Sequence, residues 1–178
     1  NSDVKKFNYT FPKHEIKDEI TYIFNQNEDL IPLKVFGQHN LANLSGAKLV
    51  CNRIGITDEM FFDAIQSFEG AGKRLELMGS KNNVKVYKDF AHAPSKLAAT
   101  FSAVKEQFAP KEVIPIYELH TFSSFDEDFL SQYKEGFQGS KNAIVILDDE
   151  VKNRKGNESI TDELIRDKFR HNTNGGKK

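Results

Sequence analysis

The chain reads as an α/β protein in which a β-meander and two helices lead into a mainly parallel sheet. Three observations predict it. Short apolar runs divided by turn residues fill the first 36 positions, two segments of helical spacing follow, and beyond Lys73 apolar strands alternate with helical patterns. Strands alternating with helices favour parallel pairing through right-handed crossovers.

Residues 7–11, 19–24 and 31–36 are the expected meander strands, with Asn25-Gln26-Asn27-Glu28-Asp29 as a turn. Leu44, Ala47, Cys51 and Ile54 then recur at helical spacing, and Gly55 supplies a stop. Thr57 is a good N-cap for a second helix, with Asp58 and Glu59 in its first turn and Phe61, Ala64, Ile65 and Phe68 as its apolar face. Glu69-Gly70-Ala71-Gly72-Lys73 is the clearest break, and a domain boundary is expected there, separating residues 1–70 from 71–178. Residues 75–78 and 84–87 flank Gly79-Ser80-Lys81-Asn82-Asn83 as a hairpin, the second run reading as a buried strand. Leu97, Phe101, Val104 and Phe108 mark a helix, 113–117 a strand, Phe129, Tyr133 and Phe137 a helix, and 143–147 a strand. Leu164, Ile165 and Phe169 mark a last helix.

Of the 178 residues 38% are hydrophobic and 29% charged, enough apolar material for a core. A net charge of -1 gives no general electrostatic case for nucleic acid or an anionic membrane. The one cysteine, Cys51, excludes a disulfide framework and fits a reducing, cytoplasmic compartment. No apolar run approaches the roughly 20 residues of a membrane-spanning helix. The chain starts at Asn1 without a methionine, and we read it as a piece of a larger protein.

Two junctions carry the chemistry. Gly37-Gln38-His39-Asn40-Leu41-Ala42-Asn43 opens a helix after an apolar run, and its amides at Asn40 and Asn43 share a face where they can read an adenine edge. Asp89-Phe90-Ala91-His92-Ala93-Pro94 closes a strand before a proline opens a helix, a place where α/β sheets bind ligands. There Asp89 can accept from ribose hydroxyls and His92 can meet a phosphate or carboxylate. Arg74 lies between the two junctions, permanently charged and fork-shaped, and suits a phosphate. Gly70-Ala71-Gly72-Lys73-Arg74 is no P-loop, because an earlier glycine and a Ser or Thr after the lysine are missing. Glu118-Leu119-His120-Thr121-Phe122-Ser123-Ser124 gathers an acid, an imidazole and hydroxyls after another strand, but neither serine lies in a nucleophile elbow. Asp148-Asp149-Glu150 reads as a solvated loop, and the scattered histidines give no metal-ligand spacing.

Taken together these residues resemble the Mur ligase family of peptidoglycan synthesis. Gly37 to Asn43 looks like the family's Gly-x-His-Asn-x-x-Asn motif, Lys73-Arg74 like its basic pair between domains, and Tyr87 to Pro94 like its Asp-containing motif. The resemblance implies that residues 1–70 end the central ATP-binding domain and that 71–178 are most of the Rossmann-like carboxyl-terminal domain. It implies ATP and Mg2+ as cofactors, with Asn40, Asn43, Arg74 and Asp89 at the nucleotide and His92, His120 and Ser123 at the substrates. The metal ligands and P-loop would lie in the part of the central domain not included, so this piece alone is expected to be inactive. The family's reaction joins an amine to a carboxylate through an acyl phosphate. The Asp-Phe-Ala-His-x-Pro form points to ligases of UDP-N-acetylmuramate, with the tripeptide L-Ala-γ-D-Glu-meso-diaminopimelate as the expected amine and L-alanine as the alternative. Competing readings are a non-catalytic nucleotide-binding module and a folate-polyglutamate-type ligase.

Overall fold

A computed structural model describes residues 6–119, 127–147 and 161–169. Its contacts divide into two units, Asn1–Lys88 with Glu106–Phe108, and Asp89–Lys105 with Ala109–Lys178.

In the first unit β1 (His14–Lys17), β2 (Ile20–Phe24) and β3 (Leu30–Leu33) form an antiparallel meander in that order. The first strand lies later than the expected 7–11. Asp18 and Glu19 both take positive φ (51° and 62°), so a two-residue turn closes Lys17 onto Ile20, and only the segment immediately before it can pair. Asn25 organises the next turn, its Oδ1 accepting from the main-chain N of Asn27 (2.9 Å) and Asp29 (2.8 Å).

Helix α1 (Gln38–Arg53) begins well before the periodicity from Leu44 suggests, and Gly55 (φ 92°) follows it as expected of a left-handed stop. Phe7 and Tyr9 lie against this helix: the Arg53 guanidinium sits 3.9 Å over the Phe7 ring, and the Tyr9 ring lies close over Gly46. Helix α2 (Asp58–Ile65) is capped as expected, Thr57 Oγ1 accepting from Met60 N at 3.3 Å. Phe61 and Ile65 are buried, but Phe68 lies past the helix end and stays exposed. With Ile23, Leu33, Val35, Leu41 and Leu44 they make the core of this unit, each full burial contributing about 1.5–3 kcal/mol.

Strands β4 (Glu76–Lys81) and β5 (Val84–Lys88) form the expected hairpin, but with a tighter turn. Lys81 pairs with Val84 across Asn82 and Asn83, whose φ values of 50° and 64° suit a type I′ turn. The apolar run of β5 is not buried: Val84 and Val86 are 62% and 56% exposed. A short apolar run is compatible with a covered strand but does not itself provide a cover.

The second unit includes most of α3 (Pro94–Gln107), whose last two residues group with the first unit. Proline suits the first helical position because its missing N–H has no partner there. The expected parallel pairing appears between β6 (Ile116–Leu119) and β7 (Ile144–Leu147), in register Ile116 to Ile144 through Leu119 to Leu147. Among the described residues it is confined to this pair, whereas β5 pairs antiparallel with β4. The helix expected around 129–137 is shorter, α4 (Glu127–Leu130) continuing into a 3-10 turn over Ser131–Glu135, after which Gly136 N donates to Tyr133 O at 2.8 Å. Helix α5 is Asp162–Phe169. Leu97, Tyr117, Leu119, Leu130, Tyr133, Phe137 and Ile165 form this unit's core.

Candidate functional site

The first junction is built on Gly37, buried at φ 86° and ψ 141°, a conformation that side chains disfavour. Its carbonyl accepts from Leu41 N at 3.0 Å and starts α1. Asn40, half-buried, turns its Nδ2 back to donate to Phe36 O at 2.9 Å. One of its donors is therefore spent on fixing the turn. Asn43 is exposed one helical turn further on, and His39 is half-buried.

Arg74 follows a loop with left-handed φ at Gly70 (93°) and Lys73 (60°). Its main-chain N donates to Ala71 O at 3.1 Å, while Lys73 N donates to Glu76 Oε2 at 2.8 Å. These bonds shape the loop and leave the Arg74 side chain exposed.

In the second unit Asp89 is half-buried just beyond β5, and its Oδ1 accepts from Thr100 Oγ1 of α3 at 3.2 Å. The spacing of α3's apolar face gave no sign of this partner. His92 lies against the Phe90 ring at 5.3 Å, and its Nδ1 donates to Phe90 O at 3.1 Å. A carbonyl only accepts, so that bond assigns the proton to Nδ1. The main-chain carbonyl of His92 accepts from Tyr133 OH at 3.4 Å. His120 and Ser123, with Thr121, Ser124 and the acids Asp148, Asp149 and Glu150, lie outside the described residues.

The first unit also has an open hollow of about 350 Å³ lined by Glu19, Lys34, Phe36, Tyr87, Gln107 and Phe108. Lys85 donates to Glu19 at 2.6 Å, which raises the lysine above its ordinary value. None of the expected nucleotide residues lines this hollow. Among the described residues no group of three or more His, Cys, Asp or Glu is placed to hold a metal ion, and no helix is long and apolar enough to cross a membrane.

No family model matches the chain. The UDP-N-acetylmuramate–L-alanine ligase of Endomicrobium trichonymphae is 26% identical over 165 residues, covering 93% of this chain and 36% of its own length. That of Caldicellulosiruptor bescii is 32% identical over 124 residues, covering 68% of this chain and 27% of its own. Among solved structures, the Thermotoga maritima UDP-N-acetylmuramate-alanine ligase MurC superposes with a TM-score of 0.65 at 21% identity, over 84% of this chain and 34% of that one. The two units therefore carry the mixed α/β fold of that structure. The chain belongs to the Mur ligase family. It spans about a third of the length of the curated relatives it matches.

Proposed function

We propose that this chain is the carboxyl-terminal part of an ATP-dependent UDP-N-acetylmuramate–L-alanine ligase. Residues 1–70 are read as the end of its central ATP-binding domain and 71–178 as its carboxyl-terminal domain. The observation that carries the reading is the set of relatives above, which are L-alanine ligases aligned across most of this chain. They favour L-alanine, the alternative reading of the sequence, over the tripeptide expected from it.

In this reading Asn43 meets the adenine and Arg74 the phosphates, with Asn40 contributing at the nucleotide and tying the turn beneath it. Asp89, steadied by Thr100, presents its carboxylate to ribose hydroxyls, and His92, with His120 and Ser123, faces the substrates. ATP supplies the phosphoryl group that activates the muramate carboxylate. What these residues contribute is positioning and neutralisation of charge, on which phosphoryl transfer chiefly depends. The Mg2+ ligands of this reading belong to the part of the central domain that lies outside this chain. The enzyme would be cytoplasmic.

The deciding experiment measures phosphate release by the full-length protein with ATP, magnesium and UDP-N-acetylmuramate, offering L-alanine or the tripeptide. Turnover with L-alanine alone is the expected result, and turnover with the tripeptide alone would refute this reading in favour of muropeptide recycling. Arg74→Ala in the same assay should raise KM for ATP roughly tenfold, the worth of a charge-assisted hydrogen bond. An unchanged KM would point to a non-catalytic role for this loop.

A further inference from the structure

The core cluster of the second unit is aliphatic and aromatic, and two phenol hydroxyls meet inside it. Tyr133 is 0% and Tyr117 6% exposed. Tyr117 OH donates to Tyr133 OH at 3.1 Å, and Tyr133 OH donates onward to the main-chain carbonyl of His92 at 3.4 Å. Both rings are held by neighbours: Tyr133 stacks on Phe169 at 5.3 Å and meets Phe129 edge-on at 5.9 Å, while Tyr117 meets Phe137 edge-on at 6.2 Å.

Packing alone would be served by phenylalanine at both positions, without bringing two hydroxyls out of water. Burial of a hydroxyl costs about 1–3 kcal/mol unless it is bonded. What the hydroxyls add is direction. They carry a donor from the core to the carbonyl of His92, the residue before Ala93, whose own carbonyl accepts from Leu97 N at 2.9 Å in the first turn of α3. Asp89 sits three residues before His92 in the segment that leads into α3, joined to that helix through Thr100. Burial, and after it the bond with Tyr133, push the Tyr117 phenol well above its ordinary value.

We propose that Tyr133, oriented by Tyr117, is a positioning residue that holds the 89–93 segment in the conformation presenting Asp89 to the nucleotide. This role rests on the assignment of Asp89 made above. Neither tyrosine touches a reacting group.

The test compares Tyr133→Phe and Asp89→Ala with the parent full-length enzyme. In Tyr133→Phe the amides of residues 91–93 and 95–97 should exchange with solvent several-fold faster, while KM for ATP rises roughly three- to tenfold, the worth of one hydrogen bond. The kcat should hold, while the thermal midpoint should fall by a few degrees, because the buried Tyr117 hydroxyl and the His92 carbonyl lose their partner. Unchanged exchange overturns the proposal whatever the kinetics. Faster exchange with an unchanged KM for ATP also overturns it, provided Asp89→Ala raises that KM. If Asp89→Ala leaves KM for ATP unchanged, the ribose assignment fails by itself, and the exchange data still decide whether Tyr133 holds the segment. Should Tyr133→Phe fail to fold, Tyr117→Phe is read by the same measures, with smaller shifts in the same directions supporting the proposal and none overturning it.

Discussion

Asp58 shows how a single side chain can tie separate stretches together. Its carboxylate takes Lys48 Nζ at 2.7 Å and Asn52 Nδ2 at 2.9 Å, both from α1, and also accepts from Gln26 in the turn after β2. The bond from Lys48, first among the causes, holds its acid below the ordinary 3.8, and the amides of Asn52 and Gln26 add to that. A carboxylate whose folded value is depressed stabilises the fold above its unfolded value, and the contribution disappears as pH falls through the folded one. Urea midpoints should therefore drop between about pH 5 and pH 3 in the parent and drop less in Asp58→Asn. Equal losses in both would show that Asp58 is no source of acid sensitivity. From the sequence Asp58 was visible only as an acid in the first turn of α2. Thr57 was legible because a cap needs only residues three positions away, whereas Gln26 reaches Asp58 from 32 positions earlier, beyond any local rule.

At the scale of elements, α3 approaches the residue after the 3-10 turn closely. A Cβ on Gly136 would meet Leu97 Cδ2 at 2.8 Å and the main-chain O of Tyr133 at 3.0 Å. Gly136 has an ordinary helical φ of -59°, so the glycine is required by space and not by backbone conformation. Gly136→Ala should then cost about 1–3 kcal/mol, the usual penalty for overpacking, read as a lower urea midpoint with an unchanged m-value. A neutral substitution would mean that Leu97 can swing aside. Neighbouring elements were legible to different degrees for physical reasons. The helices α1, α2 and α3 and the hairpin were foreseen because periodicity and turn residues are local signals. The position of β1 was not, since Phe7, Tyr9 and Phe11 have strand-like composition while the pairing is set by the turn at Asp18 and Glu19. Likewise, the exposure of β5 depends on what covers it, which no window of sequence contains.

For the molecule as a whole, three motifs in order, Gly37 to Asn43, Lys73-Arg74 and Tyr87 to Pro94, made the family legible in the sequence. The partners that steady them, Phe36 O for Asn40 and Thr100 for Asp89, became visible only in the fold. One feature of that fold governs the order of events in time. Parallel strands cannot meet through a tight turn, so β6 and β7 are joined by a long connection that includes Tyr133 and Phe137. Those same residues share the core cluster with Tyr117 and Leu119 of β6, and Val145 and Leu147 of β7 pack against it. The pair therefore gains its support only after its own connection has folded, and the entropy of closing that loop is repaid late. Val145→Ala is expected to speed unfolding in stopped-flow experiments while hardly slowing refolding; a refolding rate that falls in proportion to stability would reverse this order. Late-forming and held by the finished core, the parallel pair acts as the latch of the unit and sets how long the folded state lasts, while its birth is decided elsewhere in the chain.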